Sequence, residues 1–398
     1  MNKQMEGLGK TRSVIREIFE YANTRRAEIG AENVFDYSLG NPSVPMPEEA
    51  HRAYAELLAE KDDMFLHGYT SAQGAPATRQ AIAEELNARF GTHFRADDLY
   101  MTCGAAASLR ITLGAMITPG AGEEVITFTP FFPEYRVFVE AAGATLITSP
   151  SRHEDFQIDF ADLENRITKN TKAVLINSPN NPSGVVLTEA TIQQLCELLR
   201  ARSAEYGHTI YLITDEPYRE LVYDEVARVP FLTKYYDSTI VCYSFSKSLS
   251  MPGERIGYIL VPEEADQAAD LYAAIAGSGR ALGYVCAPSL AQHVIARCVG
   301  KISDLNAYRE NRDLLYGALT EYGFTCIYPD GAFYLFMESP EEDAAAFCEK
   351  AKKYELLLVP ADSFGTPGFV RLAYCVSAEM IRRSLPSFEK LAAEYFLK

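Results

Sequence analysis

Ser244-Phe245-Ser246-Lys247-Ser248-Leu249-Ser250-Met251-Pro252-Gly253-Glu254-Arg255-Ile256-Gly257 surrounds one lysine with the hydroxyls of Ser244, Ser246 and Ser248 and sets Arg255 shortly after it. A lysine that forms a Schiff base with a phosphate-bearing aldehyde has to sit in an anion site. Hydroxyl donors and a guanidinium supply such a site, and a nearby cation helps keep the amine neutral. Taken alone, the stretch also suits a polar, serine-rich loop with a solvated lysine. Its neighbours along the chain decide between the two.

Working outward, β-branched runs at 124–128, 173–177, 210–214, 239–243 and 256–261 read as strands, with weaker candidates at 99–102 and 144–148. Helical patterns separate several of them, as over 188–206, and 11–30 reads as a further helix ahead of an extended, proline-rich stretch over 37–47. Continuous apolar strands alternating with helices predict an α/β fold, a mostly parallel sheet covered on both faces. The polar motifs Thr102-Cys-Gly-Ala105, Asn177-Ser-Pro-Asn-Asn-Pro-Ser-Gly184, Asp215-Glu-Pro-Tyr218 and Ser244-Phe-Ser-Lys247 each begin where such a strand ends. In open α/β sheets the ligand crevice lies outside the carboxyl ends of the strands, so four motifs converge on one sheet edge.

From about residue 288 the character changes. A long helical stretch over 288–322 leads to strands near 325–328 and 332–337, a helix over 341–354, and short strands near 356–359 and 370–374. The expected organisation is an N-terminal arm and part of a small domain over 1–45, a large α/β domain over 46–287, and a small α+β domain over 288–398. A chain of 398 residues is long enough for two cores, because single cores stop growing beyond roughly 250–300 residues.

A net charge of −17 argues against nucleic acid or an anionic membrane as partner, since both need clustered cations. No apolar run is long enough to span a bilayer and no charged-then-apolar leader opens the chain, so a cytoplasmic protein is expected. The eight cysteines show no CxxC spacing and mostly sit in apolar segments, as reduced, buried thiols would. The six histidines form no ligand pair, and no metal site is expected.

Taken in order, these motifs resemble those of the class I, fold-type I pyridoxal-phosphate-dependent aminotransferases, of which aspartate aminotransferase is the best known. The resemblance runs from about Val34 to the C-terminus and implies a seven-stranded sheet in the large domain. It implies that Lys247 carries pyridoxal 5'-phosphate as a Schiff base and that Asp215 keeps the pyridine nitrogen protonated, making the ring an electron sink. Alone, Asp215 would read as a helix cap; its spacing from Lys247 matches the family. Tyr218 and Asn181 fall where the family bonds the ring oxygen of the cofactor. Gly104, Ala105 and Ala106 open a helix whose backbone N–H groups would hold the phosphate. The family often has a hydroxyl or a lysine at Ala106, so the phosphate would rely more on main chain, Ser244, Ser246 and Arg255. Phe132 stands where the family stacks an aromatic on the ring, with Phe131 as a close competitor; this chain contains no Trp. Tyr69, in Gly68-Tyr-Thr-Ser-Ala-Gln-Gly74, resembles a tyrosine reaching the phosphate of a neighbouring subunit, which implies a homodimer with shared active sites.

For the substrate, Arg371 matches the arginine that forks the α-carboxylate, and Gly40 the glycine whose backbone touches it. An arginine so near the chain end could otherwise be a surface ion-pair partner. Arg280, in Gly277-Ser-Gly-Arg-Ala, lies close to where dicarboxylate-specific members place an arginine for the distal carboxylate. It could equally be a structural salt bridge, and Gly277 and Gly279 suggest a loop free to approach a ligand. The expected reaction moves an amino group from an L-amino acid, aspartate first, to a 2-oxo acid, 2-oxoglutarate first, in a ping-pong cycle with Lys247 as general base and acid. A C–S β-lyase and an aromatic or branched-chain aminotransferase share this machinery and stay open as alternatives. A DNA-binding regulator built on the same fold is disfavoured, since no helix-turn-helix pair or basic run precedes the aminotransferase-like region.

Overall fold

A computed structural model describes residues 1–10, 14–224 and 228–396. The chain forms two compact units, one of Met1–Ser43, Asn181–Gly184 and Asn306–Lys398, the other of Val44–Asn180 and Val185–Leu305.

The larger unit holds a seven-stranded sheet, in the spatial order Leu99–Thr102, Gly257–Leu260, Thr239–Ser244, Tyr211–Asp215, Thr171–Asn177, Glu124–Thr129, Thr145–Pro150. Gly257–Leu260 runs antiparallel to both neighbours, with Tyr100 opposite Ile259 and Cys242 opposite Ile259. Every other pairing is parallel. All seven strands lie where the β-branched runs place them. Their runs are continuously apolar because each face is covered. Ile213 packs into a cluster with Leu109, Ile111 and Ile275, while its neighbour Leu212 packs on the opposite face with Ile192, Leu195 and Leu199. Val174 and Leu175 alternate in the same way. Burying each such side chain contributes roughly 1.5–3 kcal/mol, so the sheet is a rigid platform for whatever its strand ends carry.

The helix expected over 188–206 runs from Glu189 to Tyr206, capped by the Thr188 hydroxyl, which accepts from the Thr191 N–H. The long helix expected over 288–322 is two helices, Ser289–Cys298 and Leu305–Glu321. Gly300, at φ +80, sits in the break, a conformation that costs glycine little. Ser289–Cys298 buries Ala291, Val294 and Ile295 against Ala50, Ala53, Ile82 and Leu86 of the larger unit. The change of unit therefore falls at 305/306 and not near 288.

In the smaller unit a four-stranded antiparallel sheet has the order Val359–Pro360, Phe369–Ala373, Tyr334–Glu338, Cys326–Ile327. The single strand expected over 356–359 divides at Leu358. Leu356–Leu357 pairs in parallel with Phe35–Asp36, whereas Val359–Pro360 joins the larger sheet of this unit. The helix expected over 341–354 is Ala344–Ala351, capped by Asp343, followed by a tighter turn over Lys352–Tyr354. The helix expected over 11–30 spans Val14–Ile29; residues 11–13 lie outside the described ones. No helix among the described residues is long and apolar enough to cross a membrane.

Candidate active site

In the larger unit, Asp215 is the last residue of its strand and is 5% exposed. A turn follows it and not a helix, so it caps nothing. Tyr135 Oη donates to Asp215 Oδ2 at 2.6 Å. Asp215 Oδ1 is buried with no hydrogen-bond partner among the described residues. Burial pushes the carboxyl up to about 7, the Tyr135 hydrogen bond pulls it down, and neighbouring Glu216 raises it further. The Tyr135 phenol is itself held well above its ordinary value, by burial first and then by Asp215, so it stays protonated and donates. On the adjacent strand Asn177 lies opposite Asp215 and donates from its amide to the Asp215 carbonyl at 2.8 Å. Tyr218, buried, occupies the turn beyond.

Lys247 sits in the one-turn helix Phe245–Ser248, which begins as the strand Thr239–Ser244 ends. Ser244 caps it. Its hydroxyl accepts from the Ser246 N–H at 3.2 Å and lies 2.7 Å from the Ser246 hydroxyl. Lys247 is half-buried between the buried Ser246 and Ser248. Arg255 adopts a left-handed backbone, φ 51, and donates to the Pro252 carbonyl at 3.0 Å. Its guanidinium lies over Gly104, where a Cβ would fall 2.9 Å from Arg255 Nη2. Gly104, at φ +87, is the residue before helix Ala105–Met116, with Ala105 half-buried and Ala106 exposed. The structure thus brings the helix start, Arg255 and the capped lysine turn together at the strand ends.

Phe132 is half-buried and meets the Tyr135 ring edge-on at 5.7 Å. Phe131 is buried in the core cluster beside Leu109 and Leu146, which leaves Phe132 as the ring beside the Asp215 pair. Tyr69 is 93% exposed. Its loop is tied to Gln292, which accepts from the Ala75 N–H at 2.7 Å and donates to the Thr70 hydroxyl at 3.1 Å. Arg280 corrects an expectation. It lies on helix Ala268–Ala281, exposed, and not on a loop. Gly279 is required by packing, since a Cβ there would stand 2.4 Å from the Tyr100 hydroxyl. Among the described residues Arg280 forms no ion pair.

The smaller unit gathers a second group. Arg371 lies mid-strand and 2% exposed, so the surface ion-pair reading fails. Its Nη1 donates to Asn181 Oδ1 at 3.1 Å and its Nη2 to the Ser38 carbonyl. The guanidinium carbon lies 4.7 Å from the centre of the Tyr334 ring and 5.1 Å from that of Phe364. At Gly40 a Cβ would meet the Tyr334 hydroxyl at 2.0 Å. Tyr135, Asn177, Ser38, Tyr334 and Phe364 were not legible as site residues. Tyr135 lies three residues after Phe132 on helix Glu134–Ala142, and only its hydrogen bond to Asp215 reveals a role.

The ends of this doubly covered sheet thus present a capped lysine turn, a helix start beside a guanidinium and a buried carboxylate. The family model for aminotransferases of class I and II matches residues 32–388, and the chain belongs to that family. It is 30% identical over 363 residues to an aspartate aminotransferase of Thermotoga maritima, covering 90% of this chain and 91% of that one. It is 29% identical to an aspartate/prephenate aminotransferase of Thermus thermophilus over 88% of this chain and 89% of that one. Among solved structures, an aminotransferase from Eubacterium rectale superposes with a TM-score of 0.97 at 57% identity, covering 100% of this chain and 99% of that one. The aspartate aminotransferase of Thermus thermophilus with maleate gives 0.85 at 26% identity, covering 98% and 99%.

The family's cofactor is pyridoxal 5'-phosphate, and the residues present fit it. The open, buried Asp215 Oδ1 is an acceptor suited to a protonated ring nitrogen. The space over Gly104, which a Cβ would fill, lies against a guanidinium and a helix start, as a phosphate requires.

Proposed function

We propose that this chain is a pyridoxal-phosphate-dependent aminotransferase that takes the amino group of L-aspartate and passes it to 2-oxoglutarate in a ping-pong cycle. The observation that carries the reading is Asp215, a carboxylate buried at a strand end, with one oxygen held by Tyr135 and the other open. When bound, the cofactor supplies an electron sink for the pair left at the substrate Cα. Lys247 would hold the cofactor and, once displaced, its Nζ would take the proton from Cα and deliver it to the carbon on the cofactor side. Asp215 Oδ1 would accept the ring N–H, with Tyr135 keeping the carboxylate turned toward it. Tyr218 and Asn181 would bond the ring oxygen and Phe132 would cover the ring face. Gly104, Ala105, Ala106, Ser244, Ser246 and Arg255 would hold the phosphate.

Arg371 would bind the α-carboxylate, with Gly40 supplying main-chain contact. Its buried, planar fork is already oriented by Asn181 and Ser38, which favours a flat two-oxygen partner. Arg280 would read the distal carboxylate; it is exposed and forms no ion pair among the described residues, which leaves the cation available there. The dicarboxylate assignment is also supported by relatives named aspartate aminotransferases. A homodimer with shared sites would give the 93%-exposed Tyr69 its role on the neighbouring phosphate. No disulfide links any of the eight cysteines, which suits a reducing cytoplasm.

The test is a single turnover. The cofactor-loaded protein is mixed with L-aspartate alone and its absorbance followed. One oxaloacetate per site with loss of the lysine-bound cofactor band supports the reading. Conversion only by aromatic or branched amino acids keeps the aminotransferase and discards aspartate. Pyruvate and ammonia formed from cystathionine without an acceptor would point to the lyase.

A further inference from the structure

Tyr334 meets three separate segments of the smaller unit with three different parts of itself. Its hydroxyl lies against Gly40, where a Cβ would stand only 2.0 Å from the oxygen. Its ring lies under the Arg371 guanidinium, 4.7 Å from centroid to carbon. Its carbonyl oxygen lies against Gly184, at the end of the Asn181 loop, where a Cβ would approach to 2.8 Å. Gly184 in turn accepts from the Gly331 N–H at 2.9 Å, closing that loop onto the strand that carries Tyr334. Phe364, fully buried, meets the same guanidinium at 5.1 Å. Strand register explains the placement: Tyr334 and Phe336 oppose Ala373 and Arg371, so the two residues sit diagonally across one antiparallel pair, within reach of long side chains.

A buried arginine fork works as a carboxylate reader only while its plane is fixed, because a tilt loses one of its two parallel hydrogen bonds. Asn181 and Ser38 restrain the fork in its plane, and the aromatic faces restrain rotation out of it. We infer that Tyr334 is the positioning residue for α-carboxylate recognition. It orients Arg371 through its ring and holds the Gly40 main chain through its hydroxyl. This rests on the aminotransferase reading above, in which Arg371 binds the α-carboxylate. Tyr334 makes no contact with the reacting atoms in this account, so its loss weakens ground-state binding of carboxylate substrates and leaves the proton transfer intact.

The test compares the unaltered protein with Tyr334→Phe and Tyr334→Leu, each loaded with pyridoxal phosphate. The substrate pairs are L-aspartate with β-alanine, L-phenylalanine with phenethylamine, and L-leucine with isoamylamine; each amine lacks the α-carboxylate. Half-reaction rates are followed by absorbance for the pair the unaltered protein converts fastest. Tyr334→Phe, which keeps the ring, raises KM for the amino acid about 5–10-fold with kcat within about twofold. Tyr334→Leu, which removes both contacts, raises it about 100-fold, while rates for the matching amine stay within about twofold in both variants. Equal losses for amino acid and amine, or a fall in kcat at unchanged KM, would overturn the assignment and leave the aminotransferase reading standing. A fall in cofactor affinity or a large drop in melting temperature for Tyr334→Phe would make the residue merely structural and also overturn it. No conversion of any of the three amino acids by the unaltered protein would sink the underlying reading, and this inference with it.

Discussion

Tyr135 donates to Asp215 Oδ2 at 2.6 Å, and Oδ1 of the same carboxylate is buried with no hydrogen-bond partner among the described residues. A buried carboxylate with one oxygen tied and one unserved has little reason to exist in a ligand-free core, because the uncompensated acceptor costs about 1–3 kcal/mol. A cationic ring N–H removes that cost on binding. The Asp215–Tyr135 pair thus connects the strand end to the cofactor chemistry.

Removing the Tyr135 hydroxyl deletes the influence that holds the Asp215 carboxyl down, so its pKa moves further above about 7. Tyr135→Phe should lower cofactor affinity and kcat by about tenfold, and shift the acid limb of the kcat/KM profile to higher pH. A pH–rate profile of the variant checks both. An unmoved acid limb would detach Tyr135 from Asp215 function.

Asp215 also makes ligand-free stability depend on pH. Its folded pKa of about 7 lies above its unfolded value of about 3.9, so the native state retains a proton that the unfolded chain has lost. The resulting penalty grows as pH rises from about 4 to about 7 and is constant above, reaching a few kcal/mol. Asp215→Asn has no such titration. Its melting temperature, measured without cofactor, should gain on the unaltered protein between pH 5 and pH 7.5 by several degrees. A difference independent of pH would contradict the assigned shift.

Arg371→Lys keeps the charge and loses the fork. A single ammonium cannot reproduce the guanidinium plane that Asn181 and Ser38 hold. The variant should lose about 30–100-fold in kcat/KM for amino acids, mostly through KM, with the cofactor still bound. Steady-state kinetics with one amino acid and one 2-oxo acid checks it.

Arg280→Ala should lower kcat/KM for L-aspartate by about tenfold or more and leave L-phenylalanine or L-leucine within about twofold. An equal loss for both classes would remove the distal-carboxylate role. Since Arg280 is exposed on its helix, the substitution should leave stability unchanged within about 0.5 kcal/mol.

The sheet was readable because its strands are buried on both faces. Leu212 and Ile213 feed different clusters, so the linear pattern is an unbroken apolar run with no competing helical reading. Lys247 and Asp215 stand out in the sequence because each lies at or just past a strand end, and Arg255 because it follows Lys247 at a spacing that the family resemblance supplies. Arg280 was misplaced because glycine has two uses. Gly277 and Gly279 suggest a flexible loop, but Gly279 serves close packing of a helix under Tyr100. The break after Cys298 was hidden because apolar periodicity continues on both sides of Gly300. Tyr135 and Tyr334 were invisible for a simpler reason. Each acts on a residue far away in the chain, and an aromatic in an apolar segment looks like core until its partner is in view.

The measurement that tests the account most directly is borohydride reduction of the protein mixed with pyridoxal phosphate, followed by peptide mass spectrometry. The account requires the phosphopyridoxyl group on Lys247 alone, at one per chain, with the label lost in Lys247→Ala. Label on another lysine, or none on the folded protein, would contradict it.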